Sequence, residues 1–385
     1  MKAKSIKGKS TEEIHSALEE CMADGFRPTL AIMFISIKQD KKAICEILNK
    51  KGIEIIGATS AGEFINGFQD EGSAVIMLLD LPTKSFMILF EDVGDRDQGF
   101  VSASIAESAL KKYKKPGFIL CTTSLTRDGE FFDGNNMVRN IEKVVGPNVS
   151  IYGGMAGDDV TFTGTFVFNE EKSTDNGIVA LVLDEQKIKL IGMAISGWKP
   201  LGIQRTVTKS EGRLIYKIDN LPAVDMYLKY LGNEKLSGGN KYEMFDNIGA
   251  HYPFQVKREV GEPAMVTPIG IDKEKNALIC ESDVLEGSVF HFSTPPDFDI
   301  VETVLGKAND LKNSIQNEAD ALLIFSCIGR LTAMGPFANS ENEGLTKIWN
   351  TPMAGFFTYG EYGRAVNGRQ EHHSTTCSWV ALKEK

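Results

Sequence analysis

No apolar run in this sequence approaches the ~20 residues needed to cross a bilayer. AVIMLL (74–79) and IVALVL (178–183) are each six residues long. The N-terminus MKAKSIKGKS lacks an apolar stretch that would mark a secretory signal, so the chain is expected to stay in the cytoplasm, away from membranes. Its cysteines lack pairing. The six, at 21, 45, 121, 280, 327 and 377, are scattered and contain no C-x-x-C, which points to reduced thiols instead of a disulfide framework or a zinc site. Positive charge is in deficit, with 42 Lys and Arg against 52 Asp and Glu, a balance opposite to that of nucleic-acid or anionic-lipid surfaces. The densest basic run, Lys111 to Lys115, follows the helical stretch SASIAESAL, where cations complement the negative end of the helix dipole. None of the five histidines is spaced as a metal site, and no turn fits a P-loop or G-x-G-x-x-G.

What is present is a small turn written twice. GATSAGEF (57–64) and GFFTYGEY (355–362) both read glycine, four residues, then glycine and glutamate. Each is preceded by an apolar strand pattern, a helical pattern and a second short strand, and followed by another strand. The first copy runs TLAIMFIS, KKAICEILNKKG, IEIIG and SAVIMLLD; the second runs DALLIFSCIGR (320–330), ENEGLTKIWN, TPMAGFF and CSWVALK. GFILCTTS, NNMVRNIEKVVG, VSIYGG and GIVALVLD make a third, looser copy around GGMAGDD. Near-continuous apolar strands alternating with helices predict an α/β fold of mixed sheets flanked by helices, built from repeated strand–helix–strand–turn–strand units. Residues 186–300 differ: IKLIGMAISG, ALICESD and GSVFHFST predict an antiparallel, strand-rich middle region, with helices over NLPAVDMYLKYLG and DIVETVLGKANDLKNSIQN.

The glycines Gly57, Gly62, Gly355 and Gly360 suit unusual backbone angles or close approach, and strand-end loops are common ligand sites. The three turns end in Glu63, Asp158 and Glu361, suggesting a shared pocket or mutual contact. These acids can accept from an ammonium group, while Arg330 and Arg127 can hold a carboxylate, so a small zwitterion such as an amino acid is the ligand the residues suggest. Thr59 and Ser60 in the first turn join this candidate set. Two other chemistries remain open. Cys327 with Arg330 in FSCIGR fits an activated thiol, hence a cysteine-dependent enzyme, although no base is assigned and no catalytic constellation is identified. His251, in the aromatic stretch GAHYPFQV, is the one histidine suited to ligating haem.

IIGATSAGEF and YGGMAGDD resemble the N-terminal half of the FIST family, and WKPLGIQRTVTK, IDNLPAVDMYLKYLG, FSCIGR, GFFTYGEY and HHSTTCSWVAL resemble its C-terminal half. The resemblance implies a FIST N-like domain over 1–195 and a FIST C-like domain over 196–385. It implies an intracellular sensory protein that binds a small ligand and signals to a partner such as a histidine kinase or a cyclic-di-GMP enzyme. Some relatives look like haem proteins that sense nitric oxide, so haem is the one cofactor it suggests. Glu63, Asp158, Cys327, Arg330, Gly360 and Glu361 match motif positions of the family. The sequence departs from the pattern at His372-His373-Ser374-Thr375, where the family has His-Asn followed by Thr. No stretch reads as a kinase, cyclase or DNA-binding segment, so action through another protein is expected.

Overall fold

The computed structural model describes residues 1–231, 244–297, 299–315 and 318–385. Three six-stranded sheets dominate it, and all three have the same strand order. In the first, Leu30–Ile35 is parallel to Glu54–Thr59 and antiparallel to Ala74–Asp80, with Lys2–Gly8 at the edge. In the second, Pro116–Thr122, Ser150–Met155, Gly177–Asp184 and Phe86–Asp92 take the same four places. In the third, Ala321–Cys327, Met353–Thr358, Cys377–Glu384 and Ile188–Ile195 do so. Parallel neighbours need a crossover, and the helices Lys41–Lys50, Gly134–Val145 and Ala338–Trp349 lie within the three crossovers. The inner strands are buried along their whole length, which is why they read as apolar runs with no alternation.

The last two strands of each sheet come from a different unit. Glu63–Ile65 and Phe68–Asp70, leaving the first unit, extend the third sheet beside Met353–Thr358. Glu361–Arg364 and Gln370–His373, leaving the third, extend the second beside Ser150–Met155. Val167–Asn169 and Ser173–Thr174, leaving the second, extend the first beside Glu54–Thr59. The exchange closes into a cycle, and each glycine–acid turn is the elbow at which the chain leaves its own sheet. At the joint between Ser150–Met155 and Glu361–Arg364, Gly153 faces Tyr362 with φ 142°, and a β-carbon there would lie 2.8 Å from the Leu120 carbonyl carbon and closer to its oxygen. The core where the sheets meet draws on all three, with the rings of Phe34, Phe325 and Phe356 packed at centroid distances of 4.5–5.9 Å.

Two expectations are corrected. The strand drawn over 320–330 ends at Cys327, and Ile328–Met334 is a helix, so Arg330 projects from a helical turn. Ile188–Ile195 belongs to the third sheet instead of the middle meander, because its eight residues pair along the full length of Cys377–Glu384. The remaining middle strands, from Pro200–Glu211 to Val289–Ser293, do form an antiparallel sheet of their own. The helices Ala223–Tyr230 and Asp299–Ile315 stand where expected; the predicted ends at Gly232 and at Gln316-Asn317 lie outside the described residues. Among the described residues no helix is long and apolar enough to cross a membrane.

Candidate functional site

Glu63 and Glu361 are both fully buried, and each carboxylate sits in the same kind of cradle. Glu63 accepts from the Ser60 hydroxyl and from the amide (3.0 Å) and hydroxyl (2.8 Å) of Ser73. Glu361 accepts from the Thr358 hydroxyl (2.5 Å) and from the amide (3.2 Å) and hydroxyl (2.8 Å) of Thr376. In both, a hydroxyl three residues before the acid and a Ser or Thr after the hairpin satisfy it. Burial, which penalises the charged form, pushes Glu63 up to about 7 and Glu361 up to about 8. Asp158 instead gathers the amides of Phe162 (3.1 Å), Thr163 (2.6 Å) and Gly164 (3.1 Å), and the Tyr359 hydroxyl donates to it at 2.5 Å. The turns touch one another through backbone bonds from Met155 to Gly360 (2.7 Å), Phe357 to Gly62 (2.8 Å) and Gly157 to Thr59 (2.9 Å). The Thr59 hydroxyl accepts from the Phe166 amide at 2.9 Å, pinning the donated strand to the first sheet.

The two arginines are occupied elsewhere. Arg330 is fully buried, pairs through two nitrogens with both oxygens of Glu341, and donates from its third to the carbonyls of Ser196 (2.6 Å) and Thr375 (2.9 Å). Arg127 is 69% exposed and pairs with Asp175 at 2.8 Å.

An open-mouthed cavity lies at the seam between the second and third units, where the middle sheet covers them. Its wall takes Phe131 and Met155 from the second unit, Cys327, Tyr359 and His372 from the third, and Thr267 and Glu281 from the middle region. Its volume is about 60 Å³. Of the candidate ligand residues named from the sequence, Cys327 alone lines it. Glu361 stands directly behind, near enough for its charge to raise the Cys327 thiol. Gly360 is packed so closely that a β-carbon would lie 2.9 Å from Met155 Sδ and nearer still to His372 Nε2. That nitrogen is buried without a hydrogen-bond partner among the described residues, and burial lowers the imidazole to about 3, leaving it neutral.

The segment after Asp158 brings Phe162 into the cavity wall. Asp159, Val160 and Phe162 all have positive φ (53°, 61° and 54°), a costly conformation for a β-branched residue such as Val160. The Asp158 carboxylate holds it there, and the Phe162 ring stacks on Tyr359 at 5.3 Å. Met155, Phe162, Glu281 and Tyr359 were passed over in the sequence, since none differs in type from an ordinary core or strand residue. The HHST departure did mark the position of His372.

The thiol of Cys327 is pushed well above its ordinary value, by burial first and by the Glu361 charge second, the reverse of an activated nucleophile. All six cysteines are buried. Native protein treated with iodoacetamide near neutral pH is expected to leave Cys327 unmodified, as read by peptide mass mapping; modification of Cys327 ahead of the other five would overturn this.

His251, the residue suggested for haem, is not part of this cavity's wall, and a volume of about 60 Å³ does not hold a porphyrin there. The Nδ1 of His251 is buried without a hydrogen-bond partner among the described residues. Burial lowers the His251 imidazole, and the residue's carbonyl accepts from Trp198 Nε1 at 3.1 Å.

Two sequence profiles match the chain, the FIST N domain over residues 29–221 and the FIST C domain over residues 223–364. The two matches meet at residues 221–223, within the middle region. A protein of Methanocaldococcus jannaschii, described as uncharacterized, is 28% identical in an alignment 324 residues long that covers 77% of this chain and 58% of that protein. The chain thus spans under two thirds of the length of the curated relative it matches.

Proposed function

The chain belongs to the FIST family, whose domains are sensory modules associated with signal transduction, and on that premise we propose that it binds a small ligand of amino-acid size in the seam cavity and passes the signal to a partner enzyme. The observation that carries this reading is the cavity's position. It is bounded by two interlocked units and a separate sheet, so an occupant contacts three parts of the fold at once. A ligand shifts such an assembly only by binding one arrangement better than another, and the strained segment 159–162 at the wall is the part with an alternative to gain. The partner, a histidine kinase or a cyclic-di-GMP enzyme, would read that change at the surface.

A thermal-shift screen with amino acids and other small metabolites tests the reading. A ligand at a hundred times its Kd stabilises by about 2.7 kcal/mol, a rise of a few degrees for a chain of this size. The rise is expected to vanish in Ile269→Trp, which fills the cavity from the middle sheet, while that variant alone melts cooperatively. A ligand whose shift survives Ile269→Trp binds elsewhere, and a screen without any shift counts against a ligand-gated sensor.

A further inference from the structure

The charged groups of the cavity wall are unbalanced. Among the described residues it contains one acid, Glu281, and no lysine or arginine. Glu281 follows the strand Ala277–Cys280; its Oε2 accepts from the Thr267 amide at 2.6 Å and its Oε1 from the Ser282 hydroxyl at 3.1 Å. Each oxygen has two lone pairs, so both keep acceptor capacity. No basic group lies within ion-pair distance of it among the described residues. Arg213 is a countercharge outside the wall: its guanidinium lies over the ring of Phe131 at 3.6 Å and donates to the Cys280 carbonyl at 2.8 Å, while its Nη2 is buried without a partner among the described residues. The rest of the wall is mostly apolar and rich in aromatic rings, including Phe131, Phe162 and Tyr359. His372 is a neutral imidazole there and supplies no positive charge.

A carboxylate or phosphate entering this cavity would lose its hydration with no lysine or arginine in the wall to replace it and would meet Glu281. An ammonium group meets the opposite: a carboxylate with free acceptor capacity and aromatic faces that attract cations. The volume of about 60 Å³ suits a compact ligand, with its apolar body against the Phe162–Tyr359 stack. We propose that the cavity is a site for a small organic amine lacking a carboxylate, with its ammonium on Glu281 and its apolar body against the Phe162–Tyr359 stack. This rests on the sensory reading above and narrows its ligand class.

The test uses matched probes on the full chain: benzylamine and isobutylamine, their carboxylate counterparts benzoate and isobutyrate, and the amino acids phenylalanine and valine. Binding is read by calorimetric titration and by thermal shift. Both amines are expected to bind, the carboxylates to give no signal, and Glu281→Gln to weaken the amines at least tenfold. Phe162→Leu, distant from Glu281 along the chain, is expected to weaken benzylamine more than isobutylamine, which keeps the proposal testable if Glu281→Gln folds poorly. Carboxylates binding as well as amines would overturn it, as would amine affinity unchanged in both variants. Amino acids binding where amines fail would overturn this inference and leave the sensory reading standing. Failure of every probe overturns the amine site, whereas the sensory reading then falls only if the wider metabolite screen is also blank.

Discussion

Arg330→Met is expected to be among the most destabilising single changes in the protein, at about 3–5 kcal/mol, because it strands the buried Glu341 carboxylate without its countercharge. Four hydrogen bonds are lost with it, two to Glu341 and one each to the carbonyls of Ser196 and Thr375. Those carbonyls belong to different parts of the chain, one following the strand Ile188–Ile195 and the other preceding Cys377–Glu384, so Arg330 ties the edge of the third sheet to the helix that carries Glu341. Urea denaturation should show the midpoint fall with little change in slope. The double change Arg330→Met with Glu341→Leu should recover much of the loss, since a buried ion pair exchanged for apolar side chains of similar volume is often close to neutral. A single change costing under about 1 kcal/mol would mean that the guanidinium is not held as described and is free to serve a ligand.

Gly153→Ala is expected to cost about 3–5 kcal/mol for a different reason. The new methyl group would fall 2.8 Å from the Leu120 carbonyl carbon and inside van der Waals contact of its oxygen, on the neighbouring strand of the same sheet. Overpacking against backbone costs about 1–3 kcal/mol or more, and a left-handed φ adds about 1–2 kcal/mol for a residue with a β-carbon. Relief requires the strand Ser150–Met155 to move away from Pro116–Thr122, and Glu361–Arg364 is hydrogen-bonded to its other edge. The exchanged hairpin that carries His372 into the cavity wall therefore moves too. Gly146→Ala is the control: it also has positive φ (111°), but a β-carbon there meets nothing within 4 Å, so only the conformational cost of about 1–2 kcal/mol is expected. Equal costs at the two positions, measured by the same denaturation, would contradict the close approach at Gly153.

Much of the local structure could be read directly. GIVALVLD occupies the strand Gly177–Asp184 to the residue, and KKAICEILNKKG contains the helix Lys41–Lys50. Apolar period and end signals are local properties, so one sequence carries them. The break at Cys327 was missed because FSCIGR stays apolar across the strand end, and period alone does not separate a buried strand from the first turn of a buried helix.

The candidate site divides along the same line. Residue type alone marked Cys327, which lines the cavity, and Gly360 and Glu361, which stand behind it. Residue type also marked Arg330 and Arg127 as ligand clamps, and there it had no means of counting competitors: Glu341 and Asp175, eleven and forty-eight residues away, already hold them. Whether a charged side chain is available depends on what has packed against it, and that is a property of the assembled molecule.

The order of apolar strands, helices and glycine–acid turns was determined by the sequence, because each is specified by neighbours within a few residues. The destination of each hairpin was decided only in the tertiary structure. A short strand such as Glu63–Ile65 has no preference of its own for one edge over another, and it joins Met353–Thr358 because the buried backbone groups of that edge are satisfied only when the exchange closes. The cavity, formed between segments more than two hundred residues apart, follows from that closure.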